Sequence, residues 1–260
     1  MLTHDLTHPD YFQSQDLKTA IVTGGSSGIG LGIIKNLKSQ GIQAVSWDIH
    51  APKEGGSFIH CDVTSEHAVQ LAVKETVESF GAPTILINSC GLQFMSPIDE
   101  FPLEKWNHLI SVMLTGTFLC SKHVIPFMKA AGWGRIINIS SMLGKGASPF
   151  KCAYVAAKHG VLGLSKVMAL ELAGDGVTVN SICPGFVDTP LMREQMARQA
   201  ELNNISEDQV AQEIMLKPAC IKKFTTVDQV AGMVDYFLSD AASTITGEAF
   251  SISGGWGMGQ

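Results

Sequence analysis

The sequence predicts an α/β protein in which a single domain is built on one doubly wound parallel sheet. Short apolar segments alternate with helical segments along nearly all of the 260 residues. Strand–helix–strand units of this length require parallel pairing with right-handed crossovers, and their regular alternation can supply one sheet and one core. The first strand ends in a glycine-rich turn, which is where sheets of this kind bind ligands.

Each expected element is bounded by turn or capping residues. About seven strands are predicted, at 19–23, 43–48, 57–62, 84–88, 135–140, 178–183 and 249–253. The helices between them are predicted at about 28–40, from Ser65 onward, at 103–130 with an interruption near Asn107, at 152–172 and at 226–238.

Residues 188–224 interrupt this alternation. They are polar and helical, with a capping-box pattern from Ser206 to Gln209. We expect them to form a lid that closes over a substrate and excludes water. The chain thus divides into an N-terminal extension, 1–18, and a catalytic domain, 19–260, that carries this lid.

Composition argues against several classes of function. The formal charge is −6 and no dense run of Lys or Arg occurs, so neither a nucleic acid nor an anionic membrane surface is an expected partner. Residues 1–18 are polar and lack the pattern of a secretion signal, and no uninterrupted run of about 18 apolar residues is present. The sequence therefore predicts a cytoplasmic protein.

The cysteines show neither a C-x-x-C pair nor metal-ligand spacing. We therefore expect no metal site and reduced, buried thiols, which suits a reducing compartment. The six are Cys61, Cys90, Cys120, Cys152, Cys183 and Cys220.

The glycine-rich turn from Thr23 to Gly30 is a candidate phosphate site. Glycine permits positive φ and lets backbone N–H groups approach a pyrophosphate, and the helix that follows presents unpaired N–H donors. Glycine also simply makes turns. The position of this turn, between the first strand and the first helix, favours the binding interpretation.

Asp48 ends the second strand, at the distance along the chain where a carboxylate accepts hydrogen bonds from adenosine ribose. A 2′-phosphate would meet a like charge there, and the turn holds no Lys or Arg, although Lys53 is near. A solvated strand end is the alternative. Together with the turn, Asp48 predicts NAD as the cofactor in preference to NADP.

Tyr154 and Lys158 lie four residues apart and share a helix face, and Ser141 follows the fifth strand. Removing an alcohol proton at neutral pH needs a base, and free tyrosine has a pKa of about 10. A lysine ammonium about 4 Å away contributes roughly 4 kcal/mol at an effective dielectric of about 20, equivalent to about three units of pKa. The positive nicotinamide of bound NAD acts in the same direction. Tyr154 is the predicted general acid/base and Ser141 the group that steadies the substrate oxygen.

In combination these motifs resemble the short-chain dehydrogenase/reductase family. The resemblance rests on Thr23-Gly24-x-x-x-Gly28-Ile29-Gly30, Asp62-Val63, Asn88-x-x-Gly91, Ser141, Tyr154-x-x-x-Lys158 and Pro184-Gly185. It implies a Rossmann-type sheet, commonly a homotetramer, and Lys158 in contact with the cofactor ribose. The cofactor residues predicted from the turn, from Asp48 and from the resemblance are Gly24, Ser27, Gly28, Ile29, Gly30, Asp48, Asp62, Val63, Asn88, Gly91, Tyr154, Lys158, Pro184, Gly185, Val187 and Thr189.

Two departures from the family pattern stand out. The family's Asn-Asn-Ala-Gly is Asn88-Ser89-Cys90-Gly91 here, and Met113 stands where the family has a fourth catalytic residue, an asparagine. In the family, the main-chain carbonyl at that position holds a water on the proton path from the lysine. Any residue supplies that carbonyl, but methionine lacks the amide that, in the family, helps to hold the local backbone. Met113 therefore predicts slower or redirected catalysis, not inactivity.

Within the family, several segments resemble the bacterial 3-hydroxybutyrate dehydrogenases, among them Ala153 to Gly160 and Gly254-Gly255-Trp256. The resemblance implies a short carboxylate held by polar side chains. The substrate residues it predicts are Gln93, Ser141, Lys151, Tyr154 and Gln195. A solvent-exposed Lys151 and a Gln195 on the outer face of a mobile helix are the alternatives. Leu143 replaces a substrate-binding histidine and Phe186 a tryptophan, which leaves the substrate open.

Three functions follow. The first is NAD-dependent hydride transfer between the nicotinamide and a small secondary alcohol or ketone, such as 3-hydroxybutyrate or a related hydroxy acid. The second is a dehydrogenase of a cyclic alcohol or dihydrodiol, motivated by Leu143. The third is a catalytically weak NAD-binding protein, motivated by Met113; intact Ser141, Tyr154 and Lys158 argue against it.

Overall fold

A computed structural model of the protein describes residues 18–257, so the expected N-terminal extension lies, except for Lys18, outside the described residues. Seven strands form one all-parallel sheet in the order β3-β2-β1-β4-β5-β6-β7, which confirms the predicted fold class. The strands are β1 (Thr19–Thr23), β2 (Gln43–Asp48), β3 (Phe58–His60), β4 (Pro83–Asn88), β5 (Gly134–Ile139), β6 (Val177–Pro184) and β7 (Ala249–Ile252).

The strand order reverses between β1 and β4, and this reversal places the site. Thr23 pairs with Asn88 at the carboxyl ends of the two strands. The chain leaves β1 toward one face of the sheet and leaves β4 toward the other, so a crevice opens above their ends. The Thr23 hydroxyl accepts a hydrogen bond from the Ser89 N–H at 3.0 Å, which fixes the two strand ends to each other.

Helices cover both faces of the sheet. They are α1 (Gly28–Ser39), α2 (Glu66–Phe80), α3 (Leu103–Ile110), α4 (Gly116–Ala131), α5 (Cys152–Leu172), α6 (Pro190–Asn203), α7 (Glu207–Gln209) and α8 (Val227–Leu238). The capping box at Ser206 and Gln209 is present, and Thr226 and Gln229 form a second one at the start of α8.

Two apolar layers make the core, one on each face of the sheet. On one face, Trp47 and Leu86 pack with α2, α4 and α5. On the other face, Ala20 and Val22 of β1 pack with α1 and α8. Because alternate residues of a strand point to opposite faces, strands buried on both sides need the nearly continuous apolar runs seen in the sequence.

α3 and α4 form one continuous helical segment joined by a π-helical turn, Ser111–Thr115. The interruption expected near Asn107 is therefore wrong, since the irregularity begins four residues later and does not end the helix. The segment from Leu103 to Ala131 is long and apolar enough to cross a membrane by length and composition alone. Its buried face packs on the sheet through Leu119, Cys120 and Val124, as a core helix does.

The segment 188–224 leaves the sheet edge and returns to it. Val187 and Thr225 form an isolated parallel bridge at its base. Between them α6, α7 and the π-helical turn Val210–Met215 pack on each other around a small apolar cluster of their own. This separate packing is consistent with a lid, and closure remains a prediction.

All six cysteines are free. Cys61, Cys120 and Cys183 are buried as expected, but Cys220 is exposed, so the expectation of burial is wrong there. Within residues 18–257, no cluster of three or more His, Cys, Asp or Glu side chains is arranged to hold a metal ion.

Candidate active site

A cleft opens above the ends of β1, β2 and β4. Its walls combine residues from the glycine turn, the end of β2, the segments after β3 and β4, and α5. Of the predicted cofactor residues, it brings together Gly24, Ser27, Gly28, Ile29, Gly30, Asp48, Asp62, Val63, Gly91, Tyr154, Lys158 and Thr189.

The glycine turn has a shape that a pyrophosphate fits. Gly28 begins α1 with φ +52°, a conformation that glycine adopts without strain. A Cβ at Gly30 would lie 2.2 Å from the Gly24 carbonyl oxygen, so this position admits no side chain. Ser27 caps α1 without a side-chain hydrogen bond, which leaves the first N–H groups of the helix available to an anion at the cleft.

Asp48 is held in a fixed orientation beside this turn. Its Oδ2 accepts a hydrogen bond from the Ser26 N–H at 3.1 Å, and its Oδ1 accepts one from the His50 N–H at 3.1 Å. The carboxylate therefore joins the glycine turn to the end of β2 at the cleft wall.

Ser141, Tyr154 and Lys158 meet at the inner end of the cleft. Ser141 follows β5 and accepts a hydrogen bond from the Leu143 N–H at 3.1 Å. Lys158 is 4% exposed and donates to the Ile139 carbonyl at 2.7 Å. Its Nζ lies 5.7 Å from the centre of the Tyr154 ring.

Burial dominates the electrostatics of this group. Burial raises the pKa of Tyr154, and interaction with the Ser141 hydroxyl offsets part of that rise. Burial also lowers the pKa of Lys158 to about 8. Among the protein's own groups, burial therefore outweighs the charge of Lys158, whose ammonium is bonded to the Ile139 carbonyl, and acidification of Tyr154 by the lysine together with the positive nicotinamide stays a prediction.

A second cavity adjoins the cleft and shares Tyr154 with it. Its polar wall contains the five predicted substrate residues Gln93, Ser141, Lys151, Tyr154 and Gln195. Pro184, Gly185 and Val187, predicted near the nicotinamide, also line this second cavity and not the cleft.

Lys151 is 4% exposed, so its side chain is buried in the wall of this second cavity. Its Nζ lies 5.7 Å from the centre of the Phe186 ring, and burial lowers its pKa. Within the described part of the chain, no carboxylate lies within ion-pair distance of it. Gln93 accepts a hydrogen bond from the Phe94 N–H at 3.2 Å through Oε1, which leaves its amide N–H groups as donors.

The apolar wall of the second cavity includes Leu143 and Phe186, the two positions that depart from the 3-hydroxybutyrate dehydrogenase pattern. Leu143 is 7% exposed and contributes no polar atom from its side chain. The cavity therefore has a polar end, near Lys151, and a larger apolar surface.

Asn88 does not line either cavity. It is buried behind the cleft wall, where its amide donates to Ser121 Oγ at 3.3 Å and to Asn138 Oδ1 at 2.8 Å. Asn138 in turn donates to Ser165 on α5 at 2.8 Å. This buried chain braces α4 and α5 across β4 and β5, so the side chain of Asn88 supports the site from beneath it.

Sequence reasoning missed Trp256 as a site residue. It lines the second cavity, and its indole N–H is buried without a hydrogen-bond partner among the described residues. The segment Gly254-Gly255-Trp256 supported the family resemblance, but only the fold brings it to a site built mainly from residues 93–195.

Comparison with known proteins agrees with this geometry. The family model for short chain dehydrogenases matches residues 18–200. The chain belongs to the short-chain dehydrogenase family. Two relatives are D-beta-hydroxybutyrate dehydrogenases: one from Rhizobium meliloti is 46% identical, covering 92% of this chain and 98% of the relative. One from Cupriavidus necator is 38% identical, covering 92% and 97%.

The fold of this short-chain dehydrogenase is shared with solved enzymes. A variant of the actinorhodin polyketide ketoreductase with NADPH superposes with a TM-score of 0.87 at 32% identity, covering 94% of this chain and 98% of that one. The predicted family is thus confirmed. This short-chain dehydrogenase is an oxidoreductase that acts on CH–OH donors among small molecules and binds a nicotinamide cofactor.

Proposed function

We propose that this short-chain dehydrogenase carries out NAD-dependent oxidation of 3-hydroxybutyrate, or of a closely related short hydroxy acid, and the reverse reduction. The observation that carries the proposal is the buried ammonium of Lys151, in a cavity that it shares with Tyr154 and Ser141. A buried cation without a carboxylate partner favours an anionic ligand.

Three side chains bind the substrate carboxylate. The Lys151 ammonium and the amide groups of Gln93 and Gln195 supply donors at the polar end of the second cavity. A carboxylate fixed there orients the neighbouring carbinol carbon toward Tyr154. The name D-beta-hydroxybutyrate dehydrogenase, which the relatives from Rhizobium meliloti and Cupriavidus necator share, supports this substrate class.

Ser141 and Tyr154 carry out proton transfer. The Ser141 hydroxyl donates to the substrate oxygen and holds it beside the phenol, and the Tyr154 oxygen takes the hydroxyl proton in oxidation or returns it in reduction. The nicotinamide, when bound, accepts or supplies the hydride. Lys158, buried beside Tyr154, keeps a positive charge near the developing phenolate and would hold the ribose.

Residues from the segment 188–224 support the proposed lid. Leu191, Met192 and Gln195 of α6 line the second cavity, so movement of this helix opens or closes it. At the start of the segment, Arg193 donates to both oxygens of Asp188 at 2.9 Å. Closure would remove water from the carboxylate and strengthen its attraction to Lys151.

NAD is the proposed cofactor because of Asp48. The carboxylate is fixed at the cleft wall by two backbone N–H groups, where it accepts ribose hydroxyls and repels a 2′-phosphate. The ketoreductase of similar fold was solved with NADPH, and the ratio of kcat/KM with NAD to that with NADP tests the proposed preference of this chain.

A second candidate, a dehydrogenase of a cyclic alcohol or dihydrodiol, is favoured by one observation. Leu143 and Phe186 lie in the wall of the second cavity, which is more apolar than polar and so suits a less polar substrate. The two candidates differ in whether activity requires a carboxylate on the substrate.

We also propose that the enzyme is a homotetramer and that it is cytoplasmic. Phe118 on α4 and Val167 and Leu170 on α5 are 45%, 52% and 84% exposed, an apolar surface suited to contact with further copies in a homotetramer. The buried face of helical segment 103–131 and the net charge support a cytoplasmic enzyme with no membrane or nucleic-acid partner.

The deciding experiment follows NADH absorbance with NAD and a panel of hydroxy acids and cyclic alcohols, beside Tyr154→Phe and Lys151→Met. We expect turnover of 3-hydroxybutyrate that Tyr154→Phe abolishes, and a KM for it that Lys151→Met raises at least about tenfold. Activity on cyclic alcohols alone, unaffected by Lys151→Met, would support the second candidate. Tight NAD binding with no turnover of any substrate would support a weak binding protein.

A further inference from the structure

One strained residue immediately precedes the buried lysine of the second cavity. Among the described residues, only Phe150 and Asn204 have a positive φ with a side chain, at +68° and +51°. Asn204 ends α6, a position where asparagine commonly adopts this conformation. For a bulky aromatic residue such as Phe150 the left-handed region is a rare and costly conformation.

The ring of Phe150 does not explain its backbone conformation. The residue is 54% exposed, so little packing is gained in return for the strain. The contact that holds the turn is between backbones: the Ser96 N–H donates to the Phe150 carbonyl at 3.0 Å. Ser96 lies in the segment that follows β4 and carries Gln93, so this bond joins two walls of the substrate site.

Lys151 is also unfavourable at its position in the local structure. It is the N-cap of α5, where its side chain caps nothing and the first turn contains no acidic residue. The positive end of the helix dipole disfavours a cation at this place, and serine, threonine, asparagine or aspartate would be preferred. The lysine is nevertheless turned inward, 4% exposed, toward Phe186.

Backbone strain of this kind persists where the surrounding structure fixes it, and such places cluster at functional sites. We propose that the left-handed turn at Phe150 positions the Lys151 ammonium for the substrate carboxylate, which makes Phe150 a positioning residue for substrate specificity. The inference rests on the proposed function. A negative φ at residue 150 redirects the chain as it enters α5 and moves the lysine off the cavity wall.

The test compares two substitutions with opposite effects on φ. Glycine adopts the left-handed region without penalty, whereas valine strongly disfavours it. We expect Phe150→Gly to keep KM for 3-hydroxybutyrate within about twofold of the parent and to raise Tm. Phe150→Val should raise this KM by about tenfold or more, with kcat little changed, because a charge-assisted contact is lost. Phe150→Ala, which tolerates the turn less well than glycine, should fall between them even if the valine variant folds poorly.

A second measurement does not depend on turnover. Reductive methylation of lysines, followed by mass spectrometry, reports how fast Lys151 reacts with and without acetate as the carboxylate probe, and exposed Lys166 of α5 is the internal reference. Acetate should slow methylation of Lys151 in the parent and in Phe150→Gly, and not in Phe150→Val. Equal protection in the glycine and valine variants, or loss of protection in the glycine variant, would overturn the inference. Protection without turnover of any hydroxy acid would defeat the proposed function alone.

Discussion

The ammonium of Lys158 lies 5.7 Å from the centre of the Tyr154 ring and donates its hydrogen bond to the Ile139 carbonyl at 2.7 Å. The lysine is thus fixed to the end of β5, and its charge acts on the phenol across a distance. Burial raises the pKa of Tyr154 and lowers that of Lys158. Proton removal by Tyr154 near neutral pH therefore depends on Lys158 retaining its charge.

The first prediction concerns stability and pH. Burial lowers the pKa of Lys158 from 10.5 to about 8, so between these values the unfolded chain binds a proton that the folded chain does not. The contribution of Lys158 to the free energy of unfolding should consequently rise as pH increases from 8 to 10.5. The thiols of Cys61, Cys90 and Cys120, whose pKa values burial raises, act in the opposite direction above about pH 9. At ~1.4 kcal/mol per pH unit, the contribution of this lysine reaches about 3 kcal/mol.

Lys158→Met should remove most of that rise, so the change in the free energy of unfolding between pH 7.5 and pH 10, measured by urea denaturation, should be less favourable in the variant than in the parent by about 2 kcal/mol. Lys166→Met, at an exposed position of the same helix, is the matched control and should leave the rise intact. An equal dependence on pH in the parent and in Lys158→Met would show that the buried lysine does not titrate in this range.

The second prediction concerns cofactor choice. Asp48→Asn keeps an acceptor for one of the two backbone N–H groups and removes the charge that repels a 2′-phosphate. The ratio of kcat/KM with NADP to that with NAD should rise at least about tenfold. Asp62→Asn, on the same cleft wall, is the control and should leave the ratio unchanged. If both substitutions give the parent ratio, Asp48 does not select the cofactor.

Much of the fold could be predicted because its signals are local. Each strand is a short apolar run between turn residues, and a pair such as Ser206 and Gln209 marks a helix start within four residues. The π-helical turn Ser111–Thr115 gave no such signal, since one additional residue in a turn hardly alters the apolar pattern of a long helix. Without such a signal, the sequence predicts an interruption near Asn107, four residues before the π-helical turn begins.

The site was harder to predict because its residues come from different strands and helices, and the sequence does not give the distances between them. The four-residue spacing of Tyr154 and Lys158 places them on one helix face, but it says nothing of Ile139, the carbonyl that takes the lysine's hydrogen bond. The same holds for Trp256, which reaches the second cavity from the end of the chain. For Lys151, sequence left solvent exposure and a place in the pocket equally open, and only its packing beside Phe186 decides.

The third prediction concerns substrate preference. Leu143→His introduces a donor into the wall of the second cavity, next to the loop where the Leu143 N–H donates to Ser141. KM for 3-hydroxybutyrate should fall by about three- to tenfold, the effect of one added hydrogen bond, while activity on cyclic alcohols decreases. Leu143→Phe, which changes the size of the side chain without adding a donor, should not lower KM. A similar fall in both variants would point to packing and not to the donor.

The fourth prediction concerns Met113, the position that departs from the family's catalytic asparagine. Its side chain is 1% exposed in an apolar cluster with Leu109, Ala153 and Tyr154, and its carbonyl accepts a hydrogen bond from the Thr117 hydroxyl at 2.8 Å. Met113→Asn should therefore bury an amide in that cluster and lower stability by about 1–3 kcal/mol.

The same substitution should change kcat by less than about threefold, because the hydroxyl of Thr117 already holds the backbone that the asparagine amide holds elsewhere in the family. Thr117→Val removes that bond while keeping the shape of the side chain, and it should lower kcat more than Met113→Asn does. Steady-state kinetics and thermal unfolding of both variants provide the check. A rise in kcat of tenfold or more in Met113→Asn would mean that the missing amide limits turnover and that Thr117 does not replace it.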